Sequence, residues 1–346
     1  MKELETLALE ATKNILEKNL QIYNPDLIGK KVVLVYDTDS VLSRLISAGY
    51  IENLKAYPNT EIILYSSINS ADLREKLISL EEGRTVVMVE STNFRLEEFR
   101  IRINLQKRKI AQIEHNHLVY IKEHETQTYL EAISYQTPYF QKVSDFLKEK
   151  VESGNTMKII APDGTTMTLE GGFENMKQNT GNFPLHNRYG TLPMGENFSE
   201  VKDFSKVNGE LYIRAYPLED LQVRICETPF KVSIKESMIT YDKDQVPAEF
   251  YALMNKIVAS EGEIMIRELG FGLNRAIDFT RTLSDVNPFE RLSGFHLSLG
   301  KKHNIYRKKL ATNIVQRYHI DVFPLVSEIY IDDELVFDSE NHYAVK

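Results

Sequence analysis

Short apolar runs alternate with longer amphipathic stretches through the first 150 residues. "KKVVLVYD" (30–37), "TEIILYSS" (60–67) and "RTVVMVES" (84–91) read as buried strands rich in β-branched residues. Between and after them, "SVLSRLISAGYIENLKAY" (40–57), "SADLREKLISLEE" (70–82), "FRLEEFRIRINLQKRK" (94–109) and "QKVSDFLKEKVESG" (141–154) read as helices. Strands alternating with helices predict a parallel sheet covered on both faces. The chain opens on "MKELETLALEATKNILEKNL", with Leu4, Leu7, Leu9, Ala11, Ile15, Leu16 and Leu20 spaced as one face of a helix. That helix is expected to pack on its own domain.

Beyond residue 150 the pattern switches to period-two alternation. "TMKIIAPDGTTMTLEGG" (156–172) reads as a hairpin about a Pro-Asp-Gly turn. "ELYIRAYPL", "LQVRICE", "FKVSIKESMITYD" and "SEIYIDDELVFD" add strands, and "PAEFYALMNKIVAS" (247–260) is the clearest helix of this half. The expected architecture is an α/β domain with a parallel sheet over 1–150, followed by a strand-rich α+β domain over 151–346.

Composition narrows the class. The 346 residues are 42% apolar and 27% charged, ordinary for a globular protein with a sizeable core. A net charge of −8 argues against a nucleic-acid partner. No apolar run reaches the roughly 18 residues of a membrane span, and no secretory signal opens the chain. The single cysteine, Cys226, excludes an internal disulfide and a Cys-based zinc site. It reads as a small buried hydrophobe, and a cytoplasmic location fits that count. "YDTDSVLSRL" lacks the glycine-rich loop of a nucleotide site.

The candidate chemistry lies in the second half. In "YHIDVF", His319 and Asp321 are two residues apart and share a strand face, so they either pair with each other or share a cation. Glu196 sits in the "GTLPMGENFSE" loop, Glu268 precedes Gly270 and Gly272 in "MIRELGFGLN", and His296 lies in the apolar "ERLSGFHLSLG". Two glutamates, two histidines and an aspartate suit a divalent transition metal, and suffice for two metals sharing a carboxylate. Any one of them alone is more simply a satisfied core residue. His115 and His117 in "EHNHL" lack a third ligand and read as a surface strand edge, and the scattered Met157, Met167, Met176 and Met194 read as core filler.

With these segments in view, the chain resembles the aminopeptidase T type of thermophilic leucyl aminopeptidases. That family's Gly-Thr-Asp-Leu hairpin corresponds to "DGTTMTL". Its Pro-x-Gly-Glu loop corresponds to "PMGEN", its Glu-Leu-Gly-x-Gly-x-Asn segment to "ELGFGLN", its Gly-x-His-x-x-x-Gly strand to "GFHLSLG" and its His-x-Asp strand to "HIDVF". The family's closing hairpin corresponds to "IYIDDELVFDSENHY".

The resemblance implies a homodimeric metalloaminopeptidase. Two zinc, cobalt or manganese ions would be held by Glu196, Glu268, His296, His319 and Asp321, and would activate water against a peptide or small amide. Glu290 lies one residue out of register with a further family glutamate; its plainer reading is a solvated Glu-Arg pair. His303 stands where the family often has a tyrosine, so His303 and Tyr306 are candidate catalytic groups beside Glu290. The basic run of Lys301, Lys302, Arg307, Lys308, Lys309 and Arg317 reads as a solvated face or as a seat for an anionic substrate group. Two alternatives stand beside the hydrolase. One is a dihydroxypyridine dioxygenase-like, ring-cleaving enzyme with one Fe(II) on His296, His319 and Asp321. The other is a non-catalytic member that keeps the fold.

Overall fold

The computed structural model describes residues 2–22, 31–134, 137–181, 189–300 and 318–345. The chain divides into two compact units. Unit 1 comprises residues 1–137, 179–194 and 276–288, and unit 2 comprises 138–178, 195–275 and 289–346. A single cut near residue 150 therefore needs correcting, because two later segments return to the first unit.

Unit 1 is a five-stranded sheet in the order β2-β1-β3-β4-β8, every neighbouring pair parallel. Its strands are β1 (Val32–Tyr36), β2 (Thr60–Leu64), β3 (Thr85–Val89), β4 (Ala111–His115) and β8 (Tyr189–Thr191). The helices are α1 (Lys2–Asn14), α2 (Val41–Leu54), α3 (Ser70–Ile78), α4 (Ile101–Lys107) and α5 (Thr126–Ala132). Helix α1 continues as one π turn over Ile15–Asn19, and it packs on its own unit as expected. Gly49 of α2 lets α1 approach so closely that a Cβ there would lie 2.6 Å from Thr12 Oγ1.

Two expectations fail in this unit. The helix expected over 94–109 begins only at Ile101, because Phe94, Leu96 and Phe99 turn into the core beside Val86 and Leu105. The Phe94 amide donates to the Glu90 carboxylate at 2.6 Å, which holds that turn outside any helix. His115 is no surface edge either. Strand β8 covers β4, and the buried imidazole lies 2.9 Å from the Tyr50 hydroxyl and 3.2 Å from that of Tyr129. Burial pushes its pKa down to about 3, so it is neutral.

Unit 2 carries α6 (Thr137–Ser153), α7 (Ala248–Glu261) and a 13-stranded sheet. The hairpin β5 (Thr156–Ile160) and β6 (Thr166–Glu170) forms as the turn chemistry predicts. Strands β9 (Glu196–Glu200), β10 (Val207–Pro217), β11 (Val223–Lys235) and β12 (Met238–Thr240) follow β7 (Lys177–Asn179). The last part of the chain adds β13 (Ile266–Gly272), β14 (Gly294–Leu299), β15 (Ile320–Pro324), β16 (Glu328–Ile331), β17 (Glu334–Asp338) and β18 (His342–Tyr343). Met157, Met167, Met176 and Met194 are all buried, whereas Cys226 is half-buried. No described helix is long and apolar enough to cross a membrane.

Candidate metal centre

Four neighbouring antiparallel strands, in the order β9-β13-β14-β15, build the site. Their register places Glu268 opposite Ser298 and Ser298 opposite Asp321. One row later, Gly270 lies opposite His296, and beyond it Gly272 lies opposite Glu196. Directly paired residues share a face, as do residues two apart on one strand. Glu268, Ser298, Asp321, His296 and Glu196 therefore project from one face of the sheet.

The glycines are the condition for that convergence. The His296 imidazole lies over Gly270, whose backbone leaves the room that a side chain would take. Gly195, at φ +111°, turns the chain into β9 where a Cβ would lie 2.2 Å from Phe140 Cε1. Glu196 begins the strand directly afterwards.

Among the described residues, two donor groups form around His296. One is Glu268, His296 and Asp321; the other is Glu196, Glu290 and His296; within each, the donor atoms lie within 4.8 Å of one another. His296 is buried, and its Nε2 has no hydrogen-bond partner although Glu196 Oε1 lies 3.3 Å away. An imidazole nitrogen facing buried carboxylates without a hydrogen bond is the arrangement a cation resolves. The chemistry of the donors, nitrogen and oxygen with no sulfur, fits zinc, manganese or ferrous iron.

The remaining expected residues fall as follows. His319 and Asp321 do face the same way, with Nε2 3.3 Å from Asp321 Oδ1. The His319 side chain is 35% exposed at the side of the cluster, and it belongs to neither donor group. Glu290 is not a solvated pair with its neighbour: it and Arg291 form a contact directed inward, and Arg291 is buried. His303, Tyr306 and the basic run over 301–317 lie outside the described residues.

Sequence patterns did not single out four further polar groups. Arg291 Nη1 donates to Glu196 Oε2 at 2.6 Å. Ser298 donates to Asp321 Oδ1 at 2.5 Å and lies 3.2 Å from Glu268 Oε1. Arg267 Nε donates to Glu200 at 3.2 Å, and its Nη2 lies 2.8 Å from His319 Nδ1. Ser298 was signalled only by its alternation with His296, and Glu200 by its alternation with Glu196.

Electrostatics follow from burial and proximity. Burial raises Glu268 to about 7, helped by Glu196 and Asp321 and opposed by His319. Burial also acts to raise Glu196, but Arg291 and His296 outweigh it and pull that carboxyl below the usual range. At Asp321, His319 and His296 overcome burial and hold the group strongly ionised. His319 is raised to about 9, because Asp321 and Glu268 outweigh its desolvation.

Fold and site together define a two-unit α/β protein with a buried carboxylate–imidazole centre in its strand-rich unit. No family profile matches the chain, and no curated protein does. Among solved structures the fold is similar to a 2,5-dihydroxypyridine dioxygenase from Pseudomonas putida KT2440, with a TM-score of 0.62. That likeness covers 99% of this chain and 97% of the other at 13% identity. The expectation of a leucyl aminopeptidase, or any protease, is corrected by this finding: the full-length structural likeness is to a dioxygenase. A row of carboxylates and imidazoles on this scaffold is compatible with more than one chemistry, so motifs that identify ligands do not identify the reaction.

Proposed function

We propose that this chain is a mononuclear metal-dependent oxygenase that opens a dihydroxylated aromatic ring, with Fe(II) as its metal. The observation that carries the reading is the buried His296, whose Nε2 has no hydrogen bond and which groups with Glu268 and Asp321 from adjacent strands, a donor atom of each within 4.8 Å of the others. His319 borders that group at 3.3 Å from Asp321 Oδ1, and the group itself offers one imidazole and two carboxylates, the nitrogen and oxygen donors that ferrous iron takes. The full-length fold likeness to a dioxygenase supports the same reading.

When bound, ferrous iron supplies the one-electron chemistry through which dioxygen reacts with an electron-rich ring. The protein supplies the rest. Glu268, His296 and Asp321 would hold the ion. Ser298, hydrogen-bonded to Asp321, fixes the carboxylate's orientation. His319, whose Nδ1 accepts from Arg267 Nη2, keeps its proton on Nε2, turned toward Asp321 and Ser298, where it would donate to a substrate oxygen.

The test is anaerobic loading with Fe(II), followed by oxygen uptake with 2,5-dihydroxypyridine and with catechol-type diols. Stoichiometric oxygen uptake with loss of aromatic absorbance is expected for at least one. Iron-loaded protein that consumes no oxygen with any dihydroxylated ring would overturn the proposal.

A further inference from the structure

We infer that the Arg291 guanidinium occupies the place of a second cation and limits this centre to one metal ion. The inference rests on the reading that Glu268, His296 and Asp321 hold a metal. It concerns the second donor group, Glu196, Glu290 and His296, whose geometry would otherwise suit another ion.

That group is already engaged. A single nitrogen, Arg291 Nη1, donates to Glu196 Oε2 at 2.6 Å and also contacts Glu290. Both carboxylates therefore spend acceptor positions on the same permanent charge, because a guanidinium is not deprotonated in proteins. Arg291 is buried, so its charge is weakly screened and would strongly repel a divalent ion placed among the same oxygens. It is also pinned: the Asn274 amide donates to the Arg291 carbonyl at 2.8 Å, tying the segment to the end of β13.

The site's two arginines divide the carboxylates between them. Arg267 is paired with Glu200, and Arg291 with Glu196. Glu268 and Asp321 form the other donor group with His296, and Arg291 contacts neither of them in an ion pair. Arg291 is thus a positioning residue: it acts on metal number through Glu196 and Glu290.

The experiment counts bound Mn(II) by equilibrium dialysis and elemental analysis, with electron paramagnetic resonance to separate isolated from coupled ions. Three proteins are compared: wild type, Arg291→Lys, which keeps the charge, and Arg291→Gln, which keeps a donor without the charge. One isolated ion is expected in wild type and in Arg291→Lys. Two ions, spin-coupled, are expected in Arg291→Gln, the second binding at least about tenfold tighter than any second ion in wild type. A merely structural arginine would lose stability on replacement without gaining an ion.

Two ions in wild type or Arg291→Lys, or one in folded Arg291→Gln, overturns the inference while leaving the metal reading intact. No ion in wild type overturns the metal reading itself. Should Arg291→Gln fail to fold, Arg291→Met is counted in its place, supporting the inference with two ions and overturning it with one.

Discussion

The imidazole of His296 lies against Gly270 so closely that a Cβ there would sit 1.9 Å from Nε2. The backbone at Gly270 is not in the left-handed region, so alanine is conformationally acceptable, and the three atoms nearest its Cβ all belong to the ring. Gly270→Ala is expected to swing the imidazole out of the donor group at an overpacking cost of about 1–3 kcal/mol. Metal affinity should fall more than about 100-fold, beyond the 10–100-fold range typical of an outer-shell change. Metal titration with circular dichroism as the folding control checks this; unchanged affinity in a folded variant would exclude His296 as a ligand.

Ser298 joins Glu268 and Asp321 across the same row of the sheet. Its hydroxyl orients the two carboxylates and needs no place among the ligands itself. Ser298→Ala should weaken metal binding by about 10–100-fold. Competition with a coloured chelator measures the loss, and a change below twofold would mean that the carboxylates are oriented by other groups.

Asn197 fixes the strand that delivers Glu196. Its Oδ1 accepts from Ser144 Oγ at 2.8 Å and its Nδ2 donates to the Ser144 carbonyl at 3.0 Å, tying β9 to α6. The side chain is fully buried, so Asn197→Ala leaves polar groups without partners and should cost about 1–3 kcal/mol. Urea unfolding with a unit 2 probe reads the cost, and a shift under about 0.5 kcal/mol would contradict it.

His115 predicts an acid-sensitive unit 1. Its folded pKa of about 3 lies below the ordinary imidazole value near 6.5, so the unfolded chain binds one more proton between those limits. The stabilisation is complete above pH 6.5 and is lost as pH falls toward 3, by about 1.4 kcal/mol per pH unit at most. His115→Gln should flatten the stability–pH profile between pH 6 and 4 by close to one proton. Equal slopes in both proteins would show that the imidazole charges without unfolding the unit.

The strand–helix alternation that defines unit 1 was legible in the sequence, because burial on both faces demands continuous apolar runs in "KKVVLVYD" and "RTVVMVES". So was the shared direction of His319 and Asp321, which follows from strand periodicity alone. The glycines of "ELGFG" marked the close approach that His296 makes, without saying what would approach. The register across β9, β13, β14 and β15 came only from the folded chain, since periodicity along one strand carries no information about its neighbour's offset. For the same reason Arg291, adjacent to Glu290 in sequence, revealed its contact with Glu196 only once residues 95 positions apart had been brought together. His115 looked like an edge residue until β8, from a distant segment, covered its strand. Local patterning determined which side chains share a face; long-range pairing decided which of them meet, and that an arginine stands between Glu196 and Glu290.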